Sequence, residues 1–270
     1  MTALPTPAQR RTLGERIRSR PIGSALTLEV LAIAITVGGA AVLAALLPDL
    51  PGYSVTAPSQ SLVLVILLAA LVLALVAGLR WWRSTGFTRP SEWRDLRLYW
   101  LPVVLLFAPF VAGIRIPSLA VVGMLLLGYL ATAVFVETLW RGVMLAVLRP
   151  VGIWPAVLIS SLLFGLGHLG NSSLRGFSVM ILAQAFGAAV QGVGLAAVRL
   201  RTNTIWPLIA IHTLHDLFLQ MGHLPVALIE VPIDTIFLIY GIVLLRRTRR
   251  EQLQLSPTIP AARSGVAAGR

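Results

Sequence analysis

The chain has 270 residues, of which 57% are hydrophobic and only 12% charged, and its mean hydropathy is +0.87. A soluble domain carries about twice that charged fraction, so the composition excludes an ordinary soluble protein. The lack of cysteine excludes disulfides, thiolate metal ligands and a cysteine nucleophile, whereas the net charge of +12 raises the question of a nucleic-acid partner.

Long apolar runs follow one another from Leu26 to Leu245, which predicts an all-α, polytopic membrane protein. The runs and the Pro- and Gly-rich breaks between them predict about eight transmembrane helices, at residues 27–48, 61–79, 98–114, 118–148, 154–169, 177–198, 204–221 and 226–245. The fourth span is longer than a bilayer core at 1.5 Å per residue, so we expect a tilt, kink or break near Gly128.

The arginines are distributed unevenly between the two sides of such a protein. With eight spans, nineteen of the 22 basic residues fall in the termini and loops of one side, and only Arg115 and Arg175 fall on the other. The positive-inside rule then predicts an integral membrane protein, in a bacterial cell membrane, with both termini cytoplasmic. Anionic lipid headgroups account for the basic charge, so no nucleic-acid partner is expected.

Five ionisable residues lie deep within the fourth, fifth and seventh spans: Glu137, Arg141, His168, His212 and Asp216. Counted at 1.5 Å per residue from the cytoplasmic ends, they reach similar middle depths, which predicts a shared polar cavity inside the membrane. Two pairs have the i,i+4 spacing that places side chains on one helix face, namely Glu137 with Arg141 and His212 with Asp216. Small residues around them, such as Gly165, favour close helix packing.

Other polar residues receive a structural interpretation. His215 lies about 60° around its helix from His212, and we interpret it as an internally satisfied side chain. Glu29, Glu230 and Asp234 have no evident partners in the sequence, and we interpret them as lumen-edge or near-interface groups.

The chemistry open to this cluster is hydrolytic. A carboxylate with an imidazole can hold and deprotonate a water, and a second imidazole with a carboxylate can stabilise an oxyanion. Alternatively, His168 and His212 with a carboxylate are candidate ligands of Zn²⁺, although no HExxH motif is present. The cofactor is therefore either absent or zinc.

Three motifs in chain order resemble the CPBP (Abi) family of intramembrane endopeptidases, which includes the type II CAAX prenyl proteases. The family pattern EExxxR reads VETLWR at 136–141, FxxxH reads FGLGH at 164–168, and HxxxN or HxxxD reads HTLHD at 212–216. The resemblance covers residues 118–219. It divides the chain into an Arg-rich cytoplasmic segment (1–25), three helices (26–117), a catalytic core (118–245) and a basic, disordered tail (246–270).

This resemblance implies an intramembrane endopeptidase that cleaves membrane-associated peptides or proteins, in CAAX-type or bacteriocin-related processing. Its implied catalytic residues are Glu137 and His168, which activate water, and His212 and Asp216, which stabilise the oxyanion. The resemblance also implies that Arg141 and Phe164 are supporting residues of the site.

One position departs from the family pattern, because Val136 stands where the first glutamate is expected. Glu137 is about 100° further around a regular helix, so it can replace that glutamate only if the helix is locally rewound. A non-catalytic membrane binding or immunity protein is therefore an alternative, and a proton-coupled transporter is a third.

Overall fold

The structure is a computed structural model that describes residues 12–48, 61–170 and 177–255, with side chains as far as Thr248. These residues are all-α, as predicted, apart from isolated bridge residues, which include the antiparallel pair Ile114 and Gly222. The α-helices are Leu13–Ser19, Pro21–Leu46, Leu62–Leu79, Trp82–Thr85, Trp100–Leu105, Leu119–Val136, Leu145–Leu148, Ile153–Leu169, Val179–Thr202, Trp206–Met221 and Val226–Leu255. The remaining helical segments are 3-10 helices at Trp93–Tyr99, Ala108–Ala112 and Arg149–Val151 and a π-helix at Glu137–Met144.

Six helical segments of the described residues are long and apolar enough to cross a membrane, which is consistent with a polytopic membrane protein: Pro21–Leu46, Leu62–Leu79, Trp93–Ala112, Leu119–Val151, Val179–Thr202 and Val226–Thr248. The predicted fifth and seventh spans are helices of 17 and 16 residues. At 1.5 Å per residue each is shorter than the roughly 30 Å of a bilayer core, so the total of eight spans remains a prediction.

Two predicted boundaries differ from the structure. The third span is not one continuous α-helix, since 3-10 turns flank a short α-helix, and Pro102 and Pro109 within it lack the amide hydrogen that a regular helix uses. The last helix continues to Leu255, ten residues beyond the predicted end of the span at 245. The rest of the predicted tail, residues 256–270, lies outside the described residues.

Five helices contain the motif residues or pack next to the helices that contain them. The glutamate helix is the continuous helical run of residues 119–148, the first histidine helix is Ile153–Leu169, and the second histidine helix is Trp206–Met221. The linking helix is Val179–Thr202 and the C-terminal helix is Val226–Leu255. The linking helix packs between the first histidine helix and the C-terminal helix, whereas the α-helical start of the glutamate helix packs against Leu62–Leu79 and the second histidine helix.

Small residues allow the closest of these contacts. A Cβ atom added to Gly165 would overlap the backbone carbonyl of Ala185 on the linking helix and would lie 2.7 Å from the Cβ of Ala189. Gly194 and Gly241 bring the linking and C-terminal helices together in the same way. The predicted role of Gly165 in close packing is therefore confirmed.

The irregular winding expected in the long fourth span lies at Glu137, so its prediction near Gly128 is wrong. Gly128 is inside a regular α-helix, whereas Glu137–Met144 forms a π-helix, in which each amide bonds the carbonyl five residues back. All eight residues of this π-segment are buried. The wider winding changes the directions of the side chains along this segment relative to a regular α-helix. That Glu137 takes the place of the first glutamate stays a prediction.

Candidate active site

The three predicted motifs meet where the glutamate helix and the two histidine helices approach one another. Each helix contributes two of the six predicted side chains, namely Glu137 and Arg141, Phe164 and His168, and His212 and Asp216. The depth estimate from the sequence therefore predicts their approach correctly, although residues in the three motifs are up to 79 positions apart in the chain.

Glu137 is the centre of the cluster. Its side chain is 0% exposed, and its Oε1 lies 2.7 Å from Nδ1 of His212, which donates the hydrogen bond. Its other oxygen, Oε2, lies 3.6 Å from Nε of Arg141, whose side chain is 1% exposed. A buried carboxylate is stable only when it is paired, and Glu137 is paired with both the guanidinium of Arg141 and the imidazole of His212.

Arg141 joins the glutamate to the aromatic residue of the second motif. Its guanidinium carbon lies 3.8 Å from the centre of the Phe164 ring, a cation–π geometry. The Phe164 ring in turn meets the His168 ring edge to face, with 4.9 Å between centres, and the Trp140 ring at 5.5 Å. Both Nη atoms of Arg141 lack a hydrogen-bond partner among the described residues. The Phe164 ring therefore contacts two predicted site residues, Arg141 and His168, and helps to position both.

His168 occupies the edge of the cluster. Its Nδ1 lies 2.9 Å from the carbonyl oxygen of Phe164, one turn back along the same helix, and donates to it. That hydrogen bond fixes the tautomer, so the neutral ring presents Nε2 as an acceptor. His168 is close enough to interact electrostatically with Arg141, His212 and Asp216. Among the described contacts it has no hydrogen bond or ion pair with Glu137, so the predicted Glu137–His168 pair remains a prediction.

His212 and Asp216 form the accessible side of the site. Nε2 of His212 lies 3.6 Å from Oδ2 of Asp216, as their i,i+4 spacing predicts. Their side chains are 18% and 25% exposed, in contrast to the fully buried Glu137. A ligand that enters the site therefore meets His212 and Asp216 before it meets the glutamate.

Sequence reasoning missed the partners of His215. Nδ1 of His215 lies 3.5 Å from Oδ1 of Asp216, and its Nε2 lies 3.2 Å from Oε1 of Glu230 on the C-terminal helix. These contacts agree with the interpretation of His215 as an interior side chain, whereas Glu230 has a partner that the sequence does not show; its place at a lumen edge or near the membrane interface stays a prediction. Spacing along one helix contains no information about a neighbouring helix, so only the residue types, an imidazole and a carboxylate in apolar runs, could have suggested the contact.

Glu29 also has a partner that its sequence context does not reveal. Its Oε2 accepts a hydrogen bond of 3.0 Å from Nε1 of Trp140, and the side chain is buried. The contact ties the helix Pro21–Leu46 to the π-segment next to Arg141. Glu29 thus has a partner that the sequence does not show, and its place at a lumen edge or near the membrane interface stays a prediction.

Val136 is half-buried at the boundary between the α-helical and π-helical parts of the glutamate helix. Its side chain packs against the main hydrophobic core. The position of the missing glutamate is thus filled by an apolar contact, and the buried negative charge of the first motif belongs to Glu137 alone.

A metal site receives no support from the arrangement of donors. In the described parts of the chain, no three His, Asp or Glu side chains are placed so that they could hold one metal ion. The candidate zinc ligands His168 and His212 direct their Nδ1 atoms to a carbonyl and to Glu137, respectively. No step of the mechanism proposed below is therefore routed through a metal.

Comparison with known proteins agrees with the motifs. Residues 117–218 match the family model described as "Type II CAAX prenyl endopeptidase Rce1-like", a range close to the 118–219 of the predicted resemblance. Searches of curated proteins and of solved structures found no match. All six predicted site residues lie inside the matched range, whereas Glu29 and Glu230 lie outside it. Residues 117–218 thus form an Rce1-like domain of the type II CAAX prenyl endopeptidase (CPBP) family.

Proposed function

We propose that the chain is an intramembrane endopeptidase that hydrolyses peptide bonds of membrane-associated peptides or proteins. The observation that carries this proposal is the 2.7 Å contact between Glu137 Oε1 and His212 Nδ1 inside the family domain. Asp216 lies beside His212, and the Phe164 ring contacts both Arg141 and His168. The Glu137–His212 contact unites the first and third motifs in one buried polar cluster. The proposed substrates are those of CAAX-type or bacteriocin-related processing, and membrane lipid is the surrounding partner.

In the proposed mechanism, Nε2 of His168 holds a water and Glu137 accepts one of its protons. The water oxygen attacks the carbonyl carbon of the scissile bond, and the carbonyl oxygen becomes an oxyanion. His212, oriented by Asp216, donates a hydrogen bond to that oxyanion. The proton held by Glu137 then passes to the amide nitrogen as the C–N bond breaks, which gives a carboxylic acid and an amine.

The burial of Glu137 adds a requirement to this mechanism. Both of its oxygens face protein groups, Oε1 towards His212 and Oε2 towards Arg141. His212 therefore has to leave Oε1 when water and substrate bind, and it then faces the developing oxyanion. Arg141 keeps the carboxylate in place during this exchange because its guanidinium rests on the Phe164 ring.

A second candidate function is a non-catalytic membrane binding or immunity protein that uses the same cluster. Two observations favour it, namely the valine at position 136 and the complete burial of Glu137. Such a protein would bind a peptide at the accessible His212–Asp216 side and release it uncut.

Mass spectrometry of cells that produce the full chain distinguishes these functions. We would compare membrane and secreted peptides from the wild type, His168→Ala and Val136→Glu, with His223→Ala as the matched control because His223 is an exposed histidine outside the motifs. An internally quenched, farnesylated CAAX peptide provides a direct probe for the purified protein.

The peptidase proposal predicts products in the wild type and in His223→Ala that are missing in His168→Ala. Products that appear only with Val136→Glu indicate a hydrolytic scaffold that the valine has silenced, which supports the second function for the natural chain. Peptide profiles that do not differ among all four strains, together with an uncut CAAX probe, contradict the peptidase.

A further inference from the structure

The C-terminal helix reaches the candidate site although it lies outside the matched family range. Glu230, on the second turn of that helix, has its Oε1 3.2 Å from Nε2 of His215. These two atoms are buried, and neither forms a hydrogen bond of good geometry with a described residue, so their 3.2 Å contact is an ion-pair contact. Each atom loses its contact with water on burial, and the ion-pair contact compensates for part of that loss.

The contact extends a row of groups that begins in the glutamate helix. Carboxylates and imidazoles alternate along this row, in the order Glu137, His212, Asp216, His215 and Glu230, with nearest N···O distances of 2.7, 3.6, 3.5 and 3.2 Å. Arg141 ends the row at the buried side. The three carboxylates differ in exposure, which is 0% at Glu137, 25% at Asp216 and 26% at Glu230.

The two nitrogens of each imidazole in the row face different carboxylates. A histidine can donate from both nitrogens only as the imidazolium ion. With Arg141 and both imidazoles charged, the row contains three cations and three carboxylates and is neutral. Removing the charge of Glu230 breaks that balance at the end away from Glu137, and the row connects the two ends through His212, Asp216 and His215.

Four titratable groups lie around His215. On its own helix these are His212 and Asp216, and on the C-terminal helix they are Glu230 and Asp234, one turn further along. Asp234 is buried against Gly187 of the linking helix and interacts with His215 only at longer range. Glu230 is thus the carboxylate of that helix in direct contact with the imidazole.

We propose that the C-terminal helix completes the candidate site, with Glu230 as a positioning residue that acts through His215 to hold Asp216 beside His212. The kinetic part of this inference rests on the proposed peptidase function, whereas the structural part does not. In the peptidase, Glu230 would affect the step in which His212 and Asp216 stabilise the oxyanion, without touching the substrate.

The structural part is tested by NMR of the full chain labelled with ¹⁵N-histidine, which contains only four histidines. The His215→Gln variant assigns the resonance. We expect wild-type His215 to show the shifts of a ring protonated at both nitrogens and Glu230→Gln to change them. Glu29→Gln is the matched control, because it neutralises another buried carboxylate that does not contact the row. A His215 resonance that is the same in Glu230→Gln and in the wild type overturns the proposal.

The kinetic part uses the farnesylated CAAX peptide as its probe. Glu230→Gln is expected to lower kcat about tenfold with little change in KM, because the variant loses the ion-pair contact with His215. Adding Glu230→Gln to His215→Gln is expected to change kcat by less than about twofold, since Glu230 acts only through His215. Additive losses overturn the proposal. If the wild type cuts no probe, the peptidase function fails while the NMR result still decides the row.

If Glu230→Gln does not insert into membranes, Glu230→Asp replaces it in both experiments. The aspartate keeps the charge and is one methylene shorter, so we expect a smaller change in the His215 resonance and a partial loss of kcat. A Glu230→Asp variant that inserts and leaves both quantities unchanged also overturns the proposal, because the shorter side chain would not keep the 3.2 Å contact.

Discussion

Replacing Arg141 by methionine should strongly destabilise the protein. The methionine keeps an unbranched side chain over the Phe164 ring and removes the charge that lies 3.6 Å from Glu137 Oε2. Both side chains are essentially inaccessible to water, so water cannot replace the lost cation. His212 then remains as the single described hydrogen-bond partner of a buried carboxylate.

The expected magnitude follows from the distance between the two charges. Two unit charges 3.6 Å apart attract each other by about 5 kcal/mol at an effective dielectric constant of 20. Breaking a buried pair by removing one partner costs about 3–5 kcal/mol in other proteins. The lost cation–π contact adds roughly 0.5–2 kcal/mol. We therefore expect the free energy of unfolding to fall by at least about 3 kcal/mol.

Equilibrium unfolding in mixed detergent micelles measures this loss. Arg115→Met is the matched control, since Arg115 is an exposed arginine with a single long hydrogen bond of 3.5 Å to a backbone carbonyl, and it should change the stability by no more than about 0.5 kcal/mol. The double variant Arg141→Met with Glu137→Gln leaves no unpaired charge, so it should lose less stability than the two single losses added together.

The reasoning is refuted if Arg141→Met is as stable as Arg115→Met. It is equally refuted if the two single losses are additive in the double variant. Either result would mean that Glu137 is not held by Arg141 in the folded protein.

Three further substitutions test other contacts. Gly165→Ala should cost about 1–3 kcal/mol of unfolding free energy, because its new methyl overlaps the linking helix, whereas Gly123→Ala, with no atom within 4 Å of its new Cβ, should not destabilise; thermal unfolding in detergent compares the two. Trp140→Phe leaves the buried carboxyl of Glu29 without its described hydrogen-bond donor and should cost about 1–3 kcal/mol in the same assay, and no loss would show that this hydrogen bond is absent. In the peptidase, Asp216→Asn should keep cleavage of the CAAX probe within about tenfold of the wild type, because an amide still orients His212 and the family motif accepts Asn there; complete loss would show that the charge is required.

The sequence predicted the site through properties that belong to single helices. Apolar length gave the helices, the distance from their ends gave the common depth of Glu137, His168 and His212, and the i,i+4 spacing gave the His212–Asp216 contact. Each of these quantities follows from the regular rise and turn of an α-helix, so each could be worked out without knowing how the helices pack.

What the sequence did not predict depends on packing or on irregular winding. The choice of His212 rather than His168 as the contact of Glu137 depends on the rotation of two helices about their axes. The contact of His215 with Glu230 depends on which helix lies next to the second histidine helix. The π-helix at Glu137–Met144 depends on the balance between a less favourable winding and the burial of its eight residues. No short sequence motif predicts that balance.

The π-segment also determines how insertions and deletions would act on this chain. A regular α-helix turns by about 100° per residue, so removing one residue there would rotate everything beyond it. Within Glu137–Met144, a one-residue deletion could instead be absorbed by rewinding the wide turns into α-helix, with the helix after Met144 keeping its orientation. Glu137 and Arg141 would remain neighbours at i,i+3 or i,i+4, but their directions relative to the two histidine helices would change. A chain with such a segment can gain or lose the orientation of its charged residues by a change of length, without exchanging any amino acid in the motif.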